Sequence, residues 1–127
     1  MNTIKLGEKE FPTLLAITTD EQEKGLMHCK SPPPSMSFVY KKPILAAFWM
    51  HNVSFPLDIV FCCDNKIISI RKGIPNSTAI ISSGAPSDLV IELPADTCKQ
   101  NGIKVGDHVS LNFDQRSLMK KLLHSCP

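Results

Sequence analysis

Asp58 lies between Leu57 and Ile59 in the apolar run LDIVFCC, where a carboxylate without a partner would be costly. Such a group can be a pocket carboxylate with a shifted pKa. It can also accept backbone amides at the bend after Pro56, or pair with a nearby base. Pro56 marks irregular backbone whose donors need acceptors, so the structural role is the preferred one. Just upstream lie Trp49, His51 and Asn52. Trp49, the only tryptophan, could stack a sugar or another planar ligand, although a large aromatic in an apolar run is first expected in the core. Asn52 suits a turn whose backbone its side chain can bond. Trp49, His51, Asn52 and Asp58 are therefore the candidate ligand-binding residues.

Other reactive side chains lack the spacing their chemistry needs. Cys29 follows His28, but neighbours in sequence rarely point at one another, and no Gly-x-Ser-x-Gly elbow or phosphate loop occurs. Ser82-Ser83-Gly84 reads as a loop. His51, His108 and the His28-Cys29 pair do not have the spacing of a metal site. The five cysteines are odd in number and form no Cys-x-x-Cys pair, so they are expected to be small apolar fillers rather than a disulfide framework. No catalytic residue, metal or cofactor is assigned.

Composition narrows the classes further. The 127 residues are 43% hydrophobic and 20% charged, which suits one globular domain with a single core. The formal charge of +2, with no Lys/Arg run longer than pairs such as Lys41-Lys42 and Lys120-Lys121, argues against nucleic-acid binding. No apolar stretch reaches the roughly 18 residues of a membrane span. The N-terminus does not resemble a signal peptide, so an intracellular protein with reduced thiols is expected.

The elements that must position these residues are short. Phe11 to Thr18, Met36 to Tyr40, Ile44 to Met50, Leu57 to Cys63, Lys66 to Ile70, Leu89 to Leu93 and Val109 to Phe113 read as strand segments, and Ile80-Ile81 and Leu89 to Leu93 bracket a loop from Ser82 to Pro86. Ile44 to Met50 is continuously apolar, as for a strand covered on both faces. Asp64-Asn65 is a two-residue hairpin turn between its flanking strands. Thr19-Asp20-Glu21-Gln22 fits a capping box for a short helix that Gly25 ends. Pro94 to Gln100 suits a second short helix stopped by Asn101-Gly102. Ser31-Pro32-Pro33-Pro34-Ser35 must be a stiff loop, and Lys41-Lys42-Pro43 a turn. The pattern predicts a mainly β fold, a small barrel or sandwich of about seven short strands with two short helices, over residues 1–113. Residues 114–127 form a tail in which Leu118, Met119, Leu122 and Leu123 would line one helical face, a candidate interface.

The segment from Phe48 to Phe61, FWMHNVSFPLDIVF, resembles the signature of the family catalogued as domain of unknown function 192. The resemblance extends from near Leu14 to Leu111. It runs through Glu21 to Met27, Ser83 to Pro86, Leu89 to Leu93 and Gly102 to Asp107. It implies a small β-barrel or sandwich with short helices, and no particular reaction. Gly25, Met27, Met50, Pro56, Leu57, Glu92, Gly106 and Asp107 are its structural signature residues here. Cys29 stands where the family pattern has arginine, His51 where it has lysine, and Asp96 where it has glycine.

Two functions from different classes follow. One is a non-catalytic module binding a small ligand or a peptide between the Trp49–Asp58 segment and adjoining loops. The other is an assembly protein that docks or self-associates through the tail. An enzyme ranks behind both.

Overall fold

The computed structural model describes residues 1–112, so the C-terminal stripe Leu118, Met119, Leu122 and Leu123 lies outside the described residues. The elements run β1 (Thr3–Leu6), β2 (Lys9–Pro12), β3 (Leu14–Ala16), α1 (Thr19–Lys24), β4 (Met36–Ile44), β5 (Leu57–Cys63), β6 (Lys66–Gly73), β7 (Ser87–Pro94), α2 (Thr97–Asn101) and β8 (Val109–Asn112). The fold is mainly β, with eight described strands in two open sheets rather than about seven. The orders are β2-β1-β8 and β3-β4-β7-β5-β6. The pairing of these strands closes no barrel.

Period-2 alternation explains why the five-stranded sheet is covered on both faces. Leu57, Ile59 and Phe61 of β5 join Met36, Phe38 and Val90 in one core, with Leu26, Ala46, Met50 and Val53 packed over them. Val60 and Cys62 point the other way, into a second core with Ile91 and Leu93 of β7, Ile4 and Leu6 of β1, and Cys98 of α2. The apolar run of β5 is thus a strand buried on both sides. Its hairpin with β6 turns through Asp64 and Asn65, at φ 51° and 62°, the pair of positive values that a type I′ turn requires.

Several boundaries differ from expectation, each for a local reason. Phe11 to Thr18 is divided: β2 ends at Pro12, and β3 begins at Leu14 in the other sheet. Thr13 N–H donates to Asn2 O at the crossover, 3.0 Å away. Lys41-Lys42-Pro43 is not a turn but the outer part of β4. The register there shifts between Val39 and Ile44, and such an irregularity tolerates a proline. Ile44 to Met50 is not a covered strand. Leu45 is 66% exposed, and beyond β4 only Phe48 bridges, to Ile81. Helix α1 is capped by Thr18 rather than Thr19. Glu21 N–H donates to Thr18 Oγ1 (3.2 Å), and Thr18 N–H to Glu21 Oε1 (3.0 Å). Helix α2 starts at Thr97, after Pro94 has ended β7.

Cys62, Cys63 and Cys98 are free thiols, whereas Cys29 is disulfide-bonded, so the reading as reduced filler does not hold for Cys29. Among the described residues no helix is long and apolar enough to cross a membrane.

Candidate functional site

On β7, Val90 and Glu92 face the first core, while Leu89, Ile91 and Leu93 face the second. Glu92 therefore emerges among apolar side chains at the middle of the five-stranded sheet, paired in register with Met36 of β4 and Ile59 of β5. It is only 5% exposed. It lies at the base of a cleft of ≈ 480 Å³ between α1, β4 and the segment 47–49. That volume lies within the range of small-molecule sites.

Three local devices build the walls. Gln22 Nε2 donates to the carbonyls of Ala16, Ile17 and Val39, at 3.1, 3.3 and 2.9 Å, and ties α1 across β3 and β4. Gly25 ends the helix at φ 49°, and a Cβ there would meet Phe38 Cζ at 3.4 Å, so the chain passes close over that ring. On the facing side, Phe48 and Ile81 exchange both backbone hydrogen bonds (2.9 and 2.8 Å), and Met50 N–H donates to Ser77 O (2.9 Å). These bonds hold Trp49 at the rim. Phe48 then packs edge-on against Phe38, with centroids 5.0 Å apart.

Among the described residues, no hydrogen bond or ion pair reaches the Glu92 side chain. Burial pushes its pKa up to about 8. Tyr40, also lining the cleft, is raised to about 12, first by burial and then by the charge of Glu92. The arrangement is a cleft with aromatic rings on its walls and the polar side chains Thr19, Gln22, Glu23 and Lys24 along α1, whose base carries one carboxyl poised between its neutral and ionised forms.

The four ligand candidates read from the sequence do not converge. Trp49 lines the cleft and is 44% exposed, which corrects its expected place in the core. His51 lies against Trp49, ring centroids 4.8 Å apart, but does not line the cleft. Asn52 is exposed at φ 59°, and its carbonyl accepts from His28 N–H at 2.9 Å. Asp58 points to the opposite face of the sheet from Glu92. Its carboxylate accepts from Lys72 Nζ (2.8 Å), Asp96 N–H (3.2 Å) and Cys98 N–H (2.9 Å). Asp96, the N-cap of α2, makes no side-chain cap, so Asp58 supplies the missing acceptor from another strand. Cys63, Asp64 and Asp88 hold donor atoms within 4.8 Å of one another, but exposed acidic groups of this kind are common without a metal.

A family model described as "Uncharacterized ACR" and designated DUF192 matches residues 2–111. The chain belongs to the DUF192 family. A crystal structure of a protein of unknown function from Novosphingobium aromaticivorans is similar at 30% identity and TM-score 0.80, covering 85% of this chain and 83% of that one. A second, from Sinorhizobium meliloti and described as a "putative transcription regulator", has 30% identity and TM-score 0.79 over 87% of this chain and 91% of that one. No curated protein matches.

Of the DUF192 signature residues, Gly25, Met27 and Glu92 line the cleft. Met50 and Leu57 are core, and Pro56 accepts Ala95 N–H through its carbonyl (3.2 Å). Gly106, at φ 95°, and Asp107 turn the chain into β8. From the sequence, Glu92 reads only as a strand residue and a structural signature residue. The signal that drew attention to Asp58, a carboxyl inside an apolar run, was equally present in Leu89 to Leu93. Gln22 and Tyr40 carried no such signal, because their roles depend on the pairing of distant strands.

Proposed function

We propose that this DUF192 domain is a non-catalytic binding module whose small ligand enters the cleft between α1 and Trp49. The observation that carries the reading is Glu92. A carboxyl that is 5% exposed and has no hydrogen-bond partner among the described residues costs stability, and such a cost is commonly tolerated where a ligand supplies the partner. The aromatic lining supplies apolar contact, and one polar group at the base would fix orientation. Nothing in the charge pattern favours carrying the transcription-regulator description of the S. meliloti protein over to this chain.

A fragment screen read by backbone amide NMR tests the reading. Shifts should cluster on Gln22 to Met27, Tyr40, Phe48, Trp49 and Glu92. Ala47→Trp, which fills the cleft from an exposed position on its lining, should abolish them. Shifts centred on Asp58 and α2 instead would place binding on the other face and overturn the proposal.

A further inference from the structure

The cleft's lining restricts the chemistry of what it could hold. Among the described residues its titratable groups are Glu92 from β7, Tyr40 from β4, and Glu23 and Lys24 from α1. The facing residues of β5, Leu57, Ile59 and Phe61, are apolar, and the wall from Ala47 to Trp49 contributes none, with His51 lying against Trp49 outside the lining. When Glu92 is ionised, the lining carries two carboxylates against one ammonium. An anionic ligand would have to approach the buried carboxylate, which Coulomb repulsion in a poorly solvated site opposes. For a neutral ligand, a glutamine at 92 would donate and accept equally well without the cost of a buried acid. A cation is the ligand class for which the acid matters, because its charge and donors offset the burial of the carboxylate. Aromatic rings lining the same cleft favour the same class, since their faces attract ammonium and guanidinium groups.

Resting on the reading of the cleft as a ligand site, we infer that it takes an organic cation, a primary amine or guanidinium on an apolar body, with Glu92 as counter-ion among the rings of Tyr40, Phe48 and Trp49. Binding then draws Glu92 into its ionised form. The proton Glu92 holds in the empty cleft is released to solvent, so affinity rises with pH until the acid is already ionised.

The sole tryptophan, on the cleft lining, makes the test direct. The full chain is titrated with benzylamine and with its neutral counterpart benzyl alcohol, following Trp49 fluorescence, while calorimetry in buffers of different ionisation heat counts released protons. Benzylamine should bind at least about tenfold more tightly at pH 8, and its affinity should fall about tenfold per pH unit below that. Glu92→Gln should remove both the preference and the pH dependence. Equal binding of the two probes, amine binding without proton release, or a preference surviving in Glu92→Gln overturns the inference. Saturable binding of the alcohol alone would leave the binding-module reading standing and remove only the cation. Binding of neither probe counts against both.

Discussion

The Cβ that Gly73 lacks would lie 2.5 Å from Sδ of Met50 and 3.0 Å from its Cε. Gly73 closes β6 opposite Leu57, and Met50 is fully buried in the core beneath the 47–53 segment. The backbone of β6 thus comes up against the side chain that anchors the wall carrying Trp49. No positive φ is involved, so the requirement for glycine here is one of space alone.

Gly73→Ala is expected to destabilise the domain by about 1–3 kcal/mol, the usual cost of overpacking a close-packed core. The urea midpoint measures it. Met50→Ala should itself be destabilising, but adding Gly73→Ala to it should cost much less than in the wild type, because the clashing sulfur is gone. Additive costs would show that the strain lies elsewhere.

Asp58→Asn should lower stability by about 1–3 kcal/mol, because one amide oxygen cannot serve the two backbone donors and the ammonium that the carboxylate serves now. Lys72→Met should cost less. Lys72 is 60% exposed, so water can replace its ammonium, whereas among the described residues only Asp58 accepts from the buried Cys98 N–H. Neither change should alter ligand-induced shifts at Trp49, since Asp58 and the cleft lie on opposite faces of the sheet. Unchanged melting with lost ligand binding would reverse that assignment.

What was legible in the sequence was local or periodic. Asp64-Asn65 specifies its own backbone geometry, and the Leu57 to Cys63 run reports a strand buried on both faces. The Ile44 to Met50 run misled because it is equally apolar, yet Leu45 and Trp49 turn outward while Ala46 and Met50 turn inward. A coil laid across a sheet can carry the composition of a buried strand. The cleft was illegible for a related reason. Glu92, Tyr40, Gln22 and Trp49 come together only through the neighbouring of β7 with β4 and the tethering of Phe48 to Ile81.

The register of the α1 cap is checked by two single substitutions. Thr18→Ala removes the acceptor for Glu21 N–H and should cost about 1 kcal/mol. Thr19→Ala, inside the helix and making no cap bond, should be nearly neutral. The converse result would restore the cap to Thr19 and shift the helix one residue along the chain.

The pH dependence of stability isolates Glu92. The folded chain holds this proton up to about pH 8, against an ordinary value of 4.5. Between those values the folded state binds more protons than the unfolded state, so raising the pH favours unfolding. The contribution is most favourable below 4.5 and is progressively lost as pH rises through about 8. Across the window it amounts to a loss on the order of 3–5 kcal/mol. Glu92→Gln has no proton to lose, so the stability difference between variant and wild type should grow in the variant's favour with rising pH. Urea unfolding of both proteins at matched pH values measures this difference directly and cancels the titration of every other group. A difference that stays flat would mean that the carboxyl is ionised in the folded chain well below pH 8 and has a partner that offsets its burial.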